Sequence, residues 1–306
     1  MPRGFLPRGF FFPSSVASTH LPPFRPMPHL FRPGSPQRPD QGDLAPSQNR
    51  YYAWFEALHT RVDLLLLAPL SESEFEAAEA AVRKELLAVE KMGNRFDPDS
   101  ELSRAVQAAN QGLECDLSPE LYALLARCLR VHRETGGLFD ITVNSPAFYP
   151  GLINRVRLTG EDPSKSPRQG RLEFQLANDA QPLPSPTGEG AGVRPIILDL
   201  SGILKGYALE RLRPLLPTYG ITDALISLGN SSILSLGSNP SDIPSGQCLT
   251  TSGNATSDRR HIRNPLTGEF VTGQRTVSVT TPNAIDGEIL ATTRFIQEAS
   301  PLQHNN

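Results

Sequence analysis

Cysteine is scarce in this 306-residue chain: Cys115, Cys128 and Cys248 are the full set. Their number is odd and no CxxC spacing occurs, which excludes a disulfide framework and a cysteine-built zinc site. Long apolar runs are also missing. The longest, Val62 to Leu70, is interrupted by Asp63 and falls far short of the roughly 20 residues a membrane helix needs. Neither sign of charge dominates, since 29 basic against 32 acidic side chains leave a formal charge of −3. The overall balance therefore points away from nucleic acid and from anionic membrane surfaces. No acid precedes Asp40, in a leading stretch rich in Pro, Arg and Phe. That stretch lacks the apolar core of a secretory signal, and its prolines break the amphipathic helix of a transit peptide. Residues 1–48 are expected to be a disordered extension and residues 49–306 to form one domain. With neither signal nor lipid-anchor cysteine near the start, a cytoplasmic location is expected.

What remains is ordinary globular material, 38% hydrophobic and 20% charged, enough to bury a sizeable core. Arg61 to Leu70 reads as a strand. Ser71-x-x-Glu74 then resembles a capping box, and Phe75, Ala78, Val82, Leu86 and Val89 recur at helical spacing. Ser118-Pro119 predicts a second helix start, with Leu121, Leu124, Leu125, Cys128 and Leu129 on one face and Gly136-Gly137 as the stop. Between Pro163 and Pro195 the composition turns to Pro, Ser and Gly, interrupted by a short strand pattern from Arg171 to Leu176. Residues 182–192 read as a surface insertion. Ile196 to Leu198 reads as a strand, Lys205 to Arg213 as a short helix, and Ala224 to Leu228 and Val277 to Thr281 as strands. Strands and helices alternate without a regular βαβ repeat, so the fold class is α+β, a mixed layered architecture whose strand order cannot be derived.

Chemistry concentrates in the second half. Leu198-Asp-Leu-Ser-Gly-Ile-Leu-Lys-Gly206 sets an acid, an approachable glycine backbone and a lysine on a strand-to-helix turn, where amides and a cation can meet an anion. The same residues also suit a plain helix cap with a solvated lysine, so support must come from elsewhere. Thr250-Thr-Ser-Gly-Asn254 and His261-Ile-Arg-Asn-Pro-Leu-Thr-Gly268 are polar, turn-rich pieces of the kind that line a nucleotide pocket. Glu288 and Thr292 lie four apart in a helical segment, placing a carboxylate and a hydroxyl on one face, able to share a hard cation.

Taken in order, these pieces resemble the ApbE family, the FAD:protein FMN transferases, from about His59 to Ile296. Phe96-Asp-Pro-Asp-Ser-Glu-Leu-Ser103 is similar to the family's Tyr-x-Pro-Asp-Ser-Glu-Leu-Ser segment. Gly136-Gly-Leu-Phe-Asp-Ile-Thr142 resembles its Gly-Gly-x-Phe-Asp-x-Thr segment at the flavin pocket. Asp199-Leu-Ser-Gly-Ile-Leu-Lys-Gly206 resembles its Asp-Leu-Gly-Gly-Ile-Ala-Lys-Gly, and is the strongest single match. Thr251-Ser-Gly253, the His261 to Gly268 run and Glu288-x-x-x-Thr292 follow in the family's order.

The resemblance implies a T-fold-like α+β architecture and a metal-dependent transfer of FMN from FAD to a threonine or serine hydroxyl of an acceptor flavoprotein, releasing AMP. It equally permits hydrolysis of FAD to FMN and AMP, and the substitutions below would suit a flavin-binding protein without catalysis. As carried over, FAD contacts fall on Phe96, Leu138, Phe139, Asp140, Thr142, Asp199, Lys205, Ser252, Gly253, His261 and Ile262. His261 and Lys205 would act in catalysis. Mg²⁺ would be held by the Gly202 carbonyl, Glu288 and Thr292. The chain departs from the pattern at Phe96, which lacks the usual tyrosine hydroxyl, and at Asn264 and Glu288, where the family has aspartate. Leu228-Gly-Asn-Ser231 stands where the family has a Gly-Gly-Asp or Gly-Gly-Asn turn.

Overall fold

Val62, Leu64, Leu66 and Ala68 face one way along the chain, Asp63, Leu65 and Leu67 the other, and none is more than 6% exposed. A strand buried on both faces has no reason to alternate, which is why this stretch reads as one apolar run. A computed structural model describes residues 49–160, 170–175, 195–254 and 261–299 of the chain. The expected extension at 1–48 and the expected insertion at 182–192 lie outside the described residues.

In chain order the elements are β1 (Asn49–Ala57), β2 (Thr60–Ala68), α1 (Glu72–Gly93), α2 (Glu101–Asn110), α3 (Pro119–Glu134), β3 (Val156–Thr159), β4 (Arg171–Phe174), α4 (Ser201–Leu215), β5 (Asp223–Leu228), β6 (Ser232–Leu236), β7 (Cys248–Asn254), β8 (Arg275–Thr281) and α5 (Ala284–Ala299). Six strands form an antiparallel sheet in the order β1-β2-β5-β6-β7-β8, and β3 pairs with β4 in a separate ribbon. The fold is α+β, as expected, and the crossover from β2 to β5 is where the chain leaves the sheet to build α1 to α4.

One core lies between the sheet and helices α1 and α4. Val62, Leu64, Leu66, Ala224, Ile226 and Leu234 meet Phe75, Val82 and Leu86 of α1 and Ala208, Leu209 and Leu212 of α4. The stripe read from Phe75 to Val89 is buried throughout. Ser71 N donates to Glu74 Oε2 at 2.8 Å, one half of the capping box. A second core gathers α2, α3, the β3–β4 ribbon and the segment 196–203, reached by Ile285 and Ile289 of α5. A third, with Val277, Val279, Phe295 and Ile296, lies between β8 and α5.

Local readings shift in four places. Ile196 to Leu198 is not a strand, because its backbone bonds go to side chains. Asn110 accepts from Ile196 N and donates to Ile196 O, while Ser145 Oγ accepts from Ile197 N at 2.9 Å. Helix α4 begins at Ser201, not Lys205, and continues through Pro214 to Leu215. Its early start follows from Asp199, whose Oδ1 accepts from Ser201 N at 2.9 Å and turns the chain into the first helical turn. Thr250 to Asn254 is part of strand β7, its polar residues paired to β8 across Thr250–Val279 and Ser252–Val277. The strand expected to reach Leu176 ends at Phe174.

Candidate active site

The Asp199 carboxylate is 8% exposed and shared among three partners. Oδ1 caps Ser201; Oδ2 accepts from Asn144 Nδ2 at 2.7 Å and lies 2.8 Å from Arg95 Nε, an ion pair that is not aligned as a hydrogen bond. Asp199 N also donates to Ile141 O at 2.7 Å, tying the turn to the Gly136–Thr142 segment. The acid thus fixes where α4 starts and brings two motifs, about 60 residues apart in sequence, side by side. At the first turn of α4 the exposed Gly202 leaves its backbone uncovered, with Phe139 as its nearest side-chain neighbour.

One turn further along α4, Gly206 meets α5. A Cβ there would lie 2.6 Å from Ala284 O and 2.8 Å from Glu288 Cγ, so only glycine permits this approach. The contact carries Glu288, 4% exposed, into the interior beside Lys205. Burial pushes the Glu288 carboxyl up from its ordinary range, and the Lys205 charge, the Ser232 hydroxyl and the Gly206 backbone oppose that rise. Ser232 Oγ donates to Glu288 Oε1 at 2.5 Å. Lys205 Nζ donates to Ser231 Oγ, so a cation and a carboxylate are held by consecutive serines at the start of β6. Asn230 makes this placement possible by taking a left-handed φ of 57° in the β5–β6 turn. One turn beyond Glu288, Thr292 Oγ1 lies 3.0 Å from Ser252 Oγ on β7.

In the Gly136–Thr142 segment, Asp140 Oδ1 accepts from Thr142 N at 2.7 Å and from Thr142 Oγ1 at 2.6 Å. Oδ2 is buried without a hydrogen bond among the described residues, 3.6 Å from His132 Nδ1. The two faces of the segment differ. Phe139 points toward Gly202, while Asp140, His132, Gly137, Asn154 and Leu266 border a pocket of about 380 Å³. Leu138 and Ile262 pack on the same apolar cluster under α5.

His261 is exposed, and the run after it is a tight turn. Asn264 Oδ1 accepts from Leu266 N at 2.9 Å and its carbonyl from Gly268 N at 2.8 Å, so the asparagine closes the turn. Arg263 reaches the Val143 carbonyl at 3.5 Å, joining this run to the Gly136–Thr142 segment. Phe96 is 65% exposed, with the Arg95 guanidinium 4.0 Å above its ring. Gly253 sits against the β8 backbone at Arg275 and Thr276.

Asp199 thus bonds to Ile141, Lys205 to the β5–β6 turn and Thr292 to Ser252, while Glu288 packs on Gly206 and Phe139 lies near Gly202. Arg95 and Asn144, which hold Asp199, and Ser231 and Ser232, which hold Lys205 and Glu288, are residues the sequence does not mark as ligand contacts. None carries a local signal, since each becomes informative only when β6, α1 and the 139–144 segment converge. The oxygen donors at Glu288, Thr292 and Gly202 suit a hard cation such as Mg²⁺ in kind. Among the described residues no group of three His, Cys, Asp or Glu forms a cation cage. A single carboxylate fits Mg²⁺ only as this ion is usually held, by one or two carboxylates with ligand phosphates and water completing the shell.

Comparison with known proteins gives the family and the fold. A family model described as the ApbE family matches residues 58–303. Among solved structures, the flavin transferase ApbE from Vibrio cholerae superposes with a TM-score of 0.60 at 17% identity, over 81% of this chain and 87% of that one. The ApbE protein from Thermotoga maritima gives 0.62 at 18% identity, over 82% and 88%. The flavinyl transferase ApbE from Pseudomonas stutzeri, in its apo form, gives 0.60 at 15%, over 83% and 88%. At these identities the likeness is one of fold. No curated protein sequence matches the chain.

Proposed function

The chain belongs to the ApbE family and is a transferase, and on that premise we propose that it moves FMN from FAD to a serine or threonine hydroxyl of an acceptor protein, with AMP as the leaving group. The observation that carries this reading is the α4–α5 crossing. It holds a lysine cation and a buried carboxylate on Ser231 and Ser232, one turn from a helix start whose backbone is uncovered at Gly202.

Lys205 supplies a fixed positive charge toward a pyrophosphate, and the α4 N-terminus adds the partial positive charge of its amides. Asp199 orients both by capping the turn and holding Arg95 and Asn144. The Leu138–Thr142 segment and Phe96 provide apolar and aromatic surface for the rings of the dinucleotide, with Ser252, Gly253 and Ile262 along the β7 and 261–268 side. Glu288, Thr292 and the Gly202 carbonyl are the groups that would hold Mg²⁺, which when bound neutralises charge on the phosphates. In the transfer the acceptor oxygen bonds to the phosphorus on the FMN side and the phosphorus–oxygen bond to AMP breaks. The hydroxyl proton passes to His261, the exposed base next to the ring-binding segment.

The test is incubation of the purified chain with FAD, with and without Mg²⁺, following AMP release and in-gel flavin fluorescence on a threonine-containing acceptor domain. Magnesium-dependent labelling, abolished in Lys205→Ala and Thr292→Ala, is expected. AMP release without labelling would replace transfer by hydrolysis, and FAD binding without AMP at any Mg²⁺ concentration would reduce the protein to a flavin binder. Unchanged turnover in both variants would remove the site assignment.

A further inference from the structure

Three of the large apolar side chains left exposed, Tyr149 at 37%, Leu266 at 51% and Phe270 at 42%, belong to two loops that meet on one face. Phe148 lies 3.8 Å from where a Gly268 Cβ would stand, and the Leu266 side chain 3.3 Å from where a Gly137 Cβ would. Residues 148–155, residues 263–270 and the Gly136–Thr142 segment are thereby neighbours. Each exposed ring carries a guanidinium, Arg155 over Tyr149 at 5.6 Å and Arg263 over Phe270 at 4.6 Å. Aromatic and arginine side chains gathered around a depression are what protein-binding surfaces are enriched in.

The depression is the pocket bordered by His132, Asp140, Gly151, Asn154, Pro265 and Leu266. Its most buried polar member is short of a donor. The Asp140 side chain is 1% exposed; Oδ1 is taken up by Thr142, and Oδ2 accepts no hydrogen bond among the described residues. His132 Nδ1 lies 3.6 Å from that oxygen but donates to Phe139 O at 3.0 Å, which in the neutral ring leaves Nε2 as a second acceptor. A buried acceptor without a donor costs free energy, and native structures satisfy nearly all such groups. The same segment turns Phe139 the other way, toward Gly202 and the turn assigned to the pyrophosphate, while Arg263 reaches the Val143 carbonyl from the run that carries His261. The pocket is therefore on the far side of the FAD segment and beside the run that bears the base.

We propose that the acceptor protein docks on this face, seating a side chain that ends in a hydrogen-bond donor against Asp140 in the pocket and touching Tyr149, Leu266 and Phe270 around it. The proposal rests on the transferase reading above and names the surface that its protein substrate meets. Within the Gly136–Thr142 segment, Phe139 then serves the dinucleotide and the Asp140 side chain the acceptor. A polypeptide lying over residues 263–270 runs toward His261, the group assigned to its hydroxyl proton.

The experiment compares the full-length chain with Leu266→Ala, Asn154→Trp and Asp140→Asn, measuring the FAD dissociation constant and the kcat and KM for flavin labelling of a threonine-containing acceptor domain. Leu266 and Asn154 are exposed and have no part in the site described above, so both variants should bind FAD within about twofold of the parent. Losing the rim contact or filling the pocket should raise the acceptor KM at least about fivefold, the level that marks a significant interface contact, with kcat nearly unchanged. Asp140→Asn keeps an oxygen for Thr142 and should raise the same KM, because the carboxylate that meets the donor is gone. An unchanged KM in both Leu266→Ala and Asn154→Trp would overturn docking on this face, and an unchanged KM in Asp140→Asn would overturn the seated donor. FAD affinity weakened as much as the acceptor KM in Leu266→Ala and Asn154→Trp would overturn the proposal too, by assigning the pocket to the dinucleotide. Leu266→Ala truncates an exposed side chain and keeps the question answerable should the tryptophan variant misfold. FAD binding by the parent without labelling of the acceptor domain would instead remove the transferase reading, and the docking face with it.

Discussion

Gly206 of α4 and Glu288 of α5 are packed so closely that a methyl group on the glycine would lie 2.8 Å from the glutamate Cγ. On the sheet side, Gly287 does the same for α5, where a Cβ would come within 2.6 Å of Thr250 Oγ1 and 2.8 Å of Thr281 Oγ1. The two glycines let helix α5 settle between α4 and β7, which is what brings Glu288 and Thr292 to the site. Gly206→Ala should therefore push the helices apart, costing about 1–3 kcal/mol of stability as overpacking does. FAD turnover should fall further than that loss of folded protein accounts for. Urea unfolding together with turnover per folded molecule checks this.

Glu288→Gln separates the charge of the carboxylate from its packing. The amide keeps the volume and an oxygen for the Ser232 hydroxyl, so the folded state should be retained to within about 1 kcal/mol. Loss of the charge should raise the Mg²⁺ concentration for half-maximal activity by on the order of tenfold or more. A titration with Mg²⁺ at fixed FAD measures it, and an unchanged midpoint would remove Glu288 from the metal site.

The Cys128 and Cys248 thiols are pushed up to about 12, chiefly by burial. An unfolded thiol ionises near 9, so between those values the unfolded chain releases protons that the folded chain keeps. Their contribution to stability is therefore complete below pH 9 and is lost as pH rises toward 12. Urea midpoints should fall between pH 8 and pH 10.5. Iodoacetamide at pH 8 should label the half-buried Cys115 first and reach the other two only upon unfolding.

Ser118 ties α3 to α2 as well as capping it. Its Oγ accepts from Leu121 N at 3.2 Å and donates to Glu101 Oε2 at 2.9 Å, while Ser118 N donates to Glu101 Oε1 at 2.6 Å. Ser118→Ala removes the cap and one bond to Glu101 and should cost about 1–2 kcal/mol. Because this joint belongs to the second core and lies outside the site, FAD affinity of the folded fraction should be unchanged, which calorimetry and binding measured on the same sample would establish.

Several pieces of this fold were legible residue by residue. The stripe from Phe75 to Val89 and the Ser118-Pro119 start identified α1 and α3, because helical periodicity and caps are local properties. Strand β1 is not legible in the sequence: Tyr51, Tyr52 and Trp54 are only partly covered, as expected at a sheet edge, and give no apolar run to read. Thr250 to Asn254 looks like loop chemistry in its hydroxyls and glycine, yet pairing with β8 makes it a strand. Helix α4 starts ahead of Lys205 because Asp199 Oδ1 accepts from Ser201 N, a carboxylate that Arg95 and Asn144 also hold in place.

By itself the sequence determined the α+β character, the ApbE order of motifs and the residue types available at each position. It also determined where the chain could turn, since caps, glycines and prolines act on their immediate neighbours. Only the tertiary structure decided that Ser231 and Ser232 hold Lys205 and Glu288, that Asn144 and Arg95 share Asp199, and that Asn154 and Leu266 meet Asp140 around one pocket. Those partners come from segments tens of residues apart, and their meeting depends on strand order and on the distance between two helices. Both are consequences of packing the whole chain, and no local pattern encodes them.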